Sequence, residues 1–268
     1  MHTDPRASRI DRSLADLPPG LWPFLPAGYP DLAATEALIR RCAELPIRGL
    51  ELGFPFSDPI ADGPVIQHAF TRSLDAGLRV ESIFQMVHRL RSTVSVPLIV
   101  MASASIIYRI GLDAFVTRTA DCGLDGLIVP DLSLEEAPRL SELTARSGLG
   151  LCMLVAPTTP DDRQARIAQV ARGFLYYVSV QGTTGARDRL PTDLADHVAR
   201  LRAETRLPVL VGFGISSRQQ VQEVCRFADG AIVGSAVVQR ITELVDSRAE
   251  PRRLVDETAR LVQSLARP

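Results

Sequence analysis

The chain has 268 residues, 46% hydrophobic and 23% charged, with a net charge of -1. That supplies apolar material for a large core and gives no electrostatic case for nucleic acid or an anionic membrane surface as partner. No apolar run approaches the ~18 residues of a membrane span, and all 30 basic residues are arginine, which excludes lysine Schiff-base and pyridoxal-phosphate chemistry.

Four dispersed cysteines without a CxxC and four isolated histidines fit reduced thiols in a cytoplasm and argue against a zinc or His-ligated catalytic metal. No cofactor is expected. The N-terminus is polar and lacks the apolar centre of a secretory leader.

In chain order, residues 1–20 are polar, with an amphipathic piece over 10–17 that reads as an N-terminal helix lying across another element. A first strand over 21–27 breaks at Gly28-Tyr-Pro30, and Asp31 caps a helix reaching about residue 45. The apolar run 48–53 predicts a second strand. A Pro-rich loop follows, then helices over 65–76 and 80–91. Strand 96–101 is continuously apolar, as a doubly covered parallel strand should be. Helix 111–122 and strand 126–130 come next, and Glu135 and Glu136 open another helix, favourably for its dipole. Strand 150–155 precedes a helix after Asp161, and strand 174–179 runs into the small-residue loop Gly182-Thr-Thr-Gly185. Helix 192–204, strand 208–211, helix 217–227 and strand 230–233 complete the alternation, with Gly234-Ser235 opening a helix. Eight strand–helix units without a linker or composition shift predict an α/β protein, a single-domain (β/α)₈ barrel over 1–268 carrying an extra N-terminal helix. A doubly wound open sheet is the runner-up.

In such a barrel the chemistry sits at the C-terminal ends of the strands. The stretch Glu51-Leu-Gly-Phe-Pro-Phe-Ser-Asp58-Pro-Ile-Ala-Asp62-Gly-Pro-Val-Ile-Gln67 lies at one of those ends. Glu51 interrupts an apolar strand, where a carboxylate is costly unless paired or used. Glu51 with Asp58 or Asp62 offers carboxyls in different environments, suited to a divided acid/base task. The structural alternative pairs Glu51 with Arg48 and leaves Asp58 and Asp62 as turn caps. Gly212-x-Gly214-x-Ser216 and Gly234-Ser235 follow strands seven and eight, where barrels bind phosphate through backbone N–H groups and a helix N-terminus. Either pair alone could serve a turn, but the two together, one opening a helix, favour a phosphate site. Asp131 marks the end of the fourth strand. Tyr176, Met101, Ile128 and Ile232 near strand ends would wall a ligand cavity or simply fill the core. His68 reads as a surface residue, and Arg187 as a phosphate ligand or a solvated side chain.

These motifs resemble the tryptophan synthase alpha subunit family. The likeness runs nearly the whole length, through the Glu51–Gln67 stretch, Phe24-Leu-Pro-Ala-Gly-Tyr-Pro, Gly126-Leu-Ile-Val-Pro-Asp, Ala156-Pro-Thr-Thr-Pro, Tyr176-Tyr-Val-Ser, Thr184-Gly-Ala, Gly212-Phe-Gly-Ile-Ser and Gly234-Ser-Ala. The resemblance implies retro-aldol cleavage of indole-3-glycerol phosphate to indole and glyceraldehyde 3-phosphate. Glu51 would be the catalytic acid/base and Asp62 the carboxylate holding the indole N–H. Gly185, Gly214, Gly234 and Ser235 would cradle phosphate, and Phe24, Met101, Ile128, Tyr176 and Ile232 would line the substrate. A tryptophan synthase beta subunit is the implied partner.

Departures fall at Ser103-Ala104-Ser105, where the family carries Tyr-x-Asn, at Ser133 in place of Pro, at Gly182-Thr183-Thr184-Gly185 in place of Gly-Val-Thr-Gly, and at Val180 in place of an Arg found in some members. Several belong to the family's docking surface. They raise the expectation of a chain less dependent on a beta subunit, while the dependence of family members on that subunit gives the other reading, a weakly active barrel that mainly activates one.

Overall fold

A computed structural model describes residues 8–59, 62–179 and 190–267. Eight apolar runs form short parallel strands: β1 Gly20–Pro26, β2 Leu50–Gly53, β3 Leu98–Met101, β4 Gly126–Ile128, β5 Gly150–Val155, β6 Leu175–Val178, β7 Val209–Gly212 and β8 Gly230–Val233. Each pairs with its sequence neighbours, and β8 closes on β1, so the sheet is a closed barrel. The predicted barrel is therefore what forms, and the open-sheet alternative is set aside. Nearly every strand residue is buried, because side chains facing outward meet helices and those facing inward meet one another. Register places Phe24 beside Glu51 and Glu51 beside Ile99, so the one strand glutamate lies in an otherwise apolar layer.

The helices follow their local signals. After α1 Arg9–Ala15, α2 Leu32–Ala43 starts where the Asp31 carboxylate accepts from Ala34 N at 2.7 Å. Pro64 begins α3 Pro64–Asp75, where a missing N–H costs nothing. Next come α4 Val80–Leu90, α5 Ala104–Ile110, α6 Leu112–Asp121, α7 Ala137–Arg146, α8 Asp161–Val170 and α9 Leu194–Glu204. A reciprocal Ser217/Gln220 capping box opens α10 Arg218–Val224, ahead of α11 Ser235–Asp246 and α12 Pro251–Ala266.

The helices depart from the sequence reading in one placement and exceed it in two. The helix expected over 111–122 forms as α6, but a further short helix, α5, precedes it, and Gly111 at φ 96° ends α5 and starts α6. Glu135 and Glu136 precede α7 rather than forming its first turn, since Pro138 occupies that turn. The C-terminal α12 goes beyond the sequence reading. It buries Leu254, Thr258, Ala259, Val262 and Leu265 and packs on α2 and α11.

The N-terminal helix lies across the bottom of the barrel. Ser8 and Asp11 form its capping box, and Ile10 is fully buried. The Ile10 Cδ1 lies 3.1 Å from where a Cβ would stand on Gly126 and on Gly150, so the bare starts of β4 and β5 make its socket. Beside it Asp125 accepts from Arg91 Nη2, Arg9 Nη1 and Leu98 N, each at 2.8 Å, which ties α1 and α4 to the strand bases. Ile10→Ala empties this socket and is expected to destabilise by about 2–4 kcal/mol in urea denaturation. Turnover should be unchanged, because Ile10 and the strand C-termini are at opposite ends.

Candidate active site

Glu51 is only 2% exposed and points into the barrel from β2. Among the described residues its Oε2 has no hydrogen-bond partner, and Arg48, the ion-pair partner of the structural alternative, instead donates from Nε to the Pro18 carbonyl at 2.7 Å. The paired reading of Glu51 is thereby corrected. Burial, reinforced by the charge of Asp62, pushes its pKa up to about 8.

Asp62 stands at the end of the β2–α3 loop. Its N–H donates to Pro59 O at 3.0 Å, and Gln67 Nε2 donates to the carbonyls of Asp62 at 2.8 Å and Pro59 at 3.2 Å. The first turn of α3 thus fixes the loop's end and turns the carboxyl inward. Asp62 is 5% exposed, and burial raises its pKa to about 7. Asp58, by contrast, is exposed and accepts from Ser57 Oγ at 2.6 Å.

A cavity is lined by Phe24, Glu51, Asp62, Ile66, Met101, Tyr176, Phe213, Gly214, Ile215, Ile232, Gly234 and Ser235. An outer chamber of about 230 Å³ shares Asp62, Met101, Tyr176 and Phe213, and adds Phe56, Asp58, Ile128, Pro130, Asp131 and Leu154. Glu51, Asp62, Phe24, Met101, Tyr176, Ile232, Gly214, Gly234 and Ser235 therefore surround one space, with Ile128 in its outer part. Gly185, the Gly182–Gly185 loop, Val180 and Arg187 lie outside the described residues. Ile66, Phe213, Ile215 and Leu154 were not singled out in the sequence. Phe213 had a signal, being the residue between the two glycines after the seventh strand.

The two ends of the inner cavity differ in character. At one, α11 opens at Ser235 with no side-chain cap among the described residues, and so turns a helix N-terminus, the end that suits an anion, toward the cavity. At the other, Tyr176 packs edge-on against Phe213, ring centroids 5.8 Å apart. A Cβ on Gly212 would sit 2.2 Å from the Tyr176 hydroxyl, so only glycine lets that ring cross β7. Burial and the charges of Glu51 and Asp62 keep the phenol neutral. His68 is exposed and meets the edge of Tyr29, outside the cavity. Among the described residues no group of three or more His, Cys, Asp or Glu is placed to hold a metal ion.

The substituted serines have structural partners. Ser103 Oγ donates to Asp131 Oδ2 at 2.7 Å, and Asp131 Oδ1 accepts from Ala104 N at 2.8 Å, which caps α5. Ser105 Oγ lies 2.8 Å from Ser103 Oγ. Ser103 is 2% exposed and turned inward, so its small size does not mark a lost docking contact. Ser133 is half-buried and donates to Glu136 Oε2 at 2.7 Å, and Glu136 also accepts from Tyr108 OH at 2.9 Å. The readings of partner independence and of a mainly activating barrel are not favoured.

A closed parallel barrel with two buried carboxyls of raised pKa at the C-terminal side of its strands defines a TIM-barrel enzyme. The model of the family described as tryptophan synthase alpha chain matches residues 14–267. The tryptophan synthase alpha chain of Rhodopirellula baltica is 45% identical over 246 residues, 89% of this chain and 88% of that protein. That of Carboxydothermus hydrogenoformans is 42% identical over 238 residues, 89% of each. Among solved structures, a Mycobacterium tuberculosis tryptophan synthase chain superposes with a TM-score of 0.86 at 34% identity, covering 98% of this chain and 100% of its own. A chain of the Pyrococcus furiosus tryptophan synthase complex gives 0.83 at 34% identity, covering 92% and 97%. The chain belongs to the tryptophan synthase alpha chain family. No described helix is long and apolar enough to cross a membrane.

Proposed function

We propose that this chain is a carbon–carbon lyase of tryptophan biosynthesis that cleaves indole-3-glycerol phosphate into indole and glyceraldehyde 3-phosphate. The observation that carries this reading is the buried Glu51 carboxyl beside Asp62, its Oε2 without a hydrogen-bond partner among the described residues, in a cavity that ends on the N-terminus of α11. The phosphate would sit against Gly214, Gly234 and Ser235, with Gly185 as a further ligand. The indole would lie among Phe24, Met101, Ile128, Tyr176 and Ile232.

Protonated Glu51 gives its proton to indole C3, forming an indolenine. Asp62, as carboxylate, holds the ring N–H and stabilises the positive charge that develops there. Glu51, now ionised, takes the proton of the hydroxyl on the adjacent glycerol carbon. The C3–carbon bond then breaks, its electron pair returns to the ring, and the hydroxyl carbon becomes the aldehyde. Neither a lysine nor a metal takes part in these steps.

A tryptophan synthase beta subunit is the proposed partner, in line with the complex from which the Pyrococcus furiosus relative comes. A cytoplasmic location is part of the proposal, and the four free thiols suit a reducing compartment. Purified chain, alone and with a beta subunit, is to be given indole-3-glycerol phosphate and assayed for indole. Release that is insensitive to EDTA and raised by the beta subunit is expected. No indole under either condition, or turnover of simple sugar phosphates instead, would overturn the reading.

A further inference from the structure

We infer that Ser179 is a positioning residue for the phosphate cradle, its hydroxyl holding the Phe213 carbonyl in the turn that presents Gly214 to the ligand. The identity of the ligand rests on the proposed function above. The geometry of the turn does not.

Phe213 and Gly214 both adopt left-handed backbone, at φ 71° and 77°. Glycine accepts that conformation freely, whereas an aromatic residue does so only where its surroundings hold it. Phe213 is held twice. Its ring meets the edge of Tyr176, and its carbonyl accepts from Ser179 Oγ. Ser179 is itself anchored, because its N–H donates to Gly212 O at 3.0 Å and it is only 2% exposed. Water cannot readily replace a buried hydroxyl that bridges β6 to the end of β7.

What this brace aims is the next stretch of backbone. Gly214 and Ile215 line the inner cavity, and among the described residues their N–H groups have no hydrogen-bond partner. They join the first turn of α11, where Gly234 and Ser235 line the same cavity. Two successive left-handed residues and a helix N-terminus thus converge as an anion-binding concavity. Removing the Ser179 hydroxyl frees the Phe213 carbonyl and lets the turn relax toward ordinary backbone. The N–H groups then lose their aim, while Glu51 and Asp62, on and after β2, stay in place.

The test uses the full-length protein and two probes, inorganic phosphate and glycerol 3-phosphate, titrated calorimetrically against wild type, Ser179→Ala, Ser179→Cys and Ser179→Thr. Steady-state indole release is measured alongside. Ser179→Ala should weaken both probes about tenfold, or about 1.4 kcal/mol, and raise KM by a similar factor with kcat within about threefold. Ser179→Cys, a weak donor of similar size, should behave the same way and serves if the alanine variant does not fold. Ser179→Thr, which keeps the hydroxyl, should bind the probes within about threefold of wild type. Unchanged probe affinity in the Ala and Cys variants, or a loss of kcat with KM untouched, would overturn the inference. A wild type that binds phosphate in a Ser179-dependent manner but releases no indole sinks only the proposed reaction. Indole release with Ser179-independent phosphate affinity sinks only this inference.

Discussion

Glu51→Gln should lose on the order of 10²–10⁴ in turnover of indole-3-glycerol phosphate, as expected when a positioned general acid/base is removed. Gln is nearly isosteric and can neither give nor accept the proton that moves between C3 and the hydroxyl. The same change should not weaken the fold. Glu51 is 2% exposed with an unpartnered Oε2, so wild type buries an ionisable group without compensation. Its folded-state pKa is raised from 4.5 to about 8. Between those values the native state keeps a proton that the unfolded chain has released, so stability falls as pH rises. The contribution is fully present below about 4.5 and lost as pH passes through about 8. Denaturation at both ends of that window should show Glu51→Gln with the flatter profile and the higher stability at the alkaline end. An unchanged turnover rate for the variant removes Glu51 from the mechanism.

Asp62→Asn should lower kcat/KM on the order of 10²–10³, the range seen when one preorganised electrostatic contact to developing charge is removed. The amide oxygen can still accept the indole N–H but brings no negative charge to the cationic ring. The loss should therefore appear mainly in kcat, with KM less affected. Because the Asp62 charge helps raise Glu51, the variant should also titrate its remaining carboxyl at lower pH. A loss confined to KM would make Asp62 a ground-state ligand only.

Much of this was legible in the chain because it depends on local signals. Runs of apolar residues broken by Gly and Pro marked all eight strands, and Glu51 stood out because a charge in such a run has few structural uses. What escaped is set by tertiary context. Phe213 reads as one residue of a Gly-Phe-Gly turn, and only Ser179 and Tyr176, more than thirty positions away, hold it left-handed over the cavity. Ser103 and Asp131 looked like surface and site features. Across two strand ends they join to cap α5, a seven-residue helix too short for periodicity to reveal. Ile10 belonged to a recognisable amphipathic piece, yet its socket exists only where β4 and β5 begin side by side on glycine.

The central claim is that one buried carboxyl carries the moving proton while its neighbour is ionised. Its most direct test is kcat/KM for indole release against pH, which reports the free enzyme. Glu51 must be protonated and Asp62 ionised, and their values of about 8 and about 7 leave a narrow window in which both hold. The expected profile rises as pH passes about 7 and falls beyond about 8, with the acid limb lost in Asp62→Asn and the alkaline limb lost in Glu51→Gln. A profile flat from about pH 6 to about pH 9, or one whose limbs survive both substitutions, would contradict the assignment of the pair.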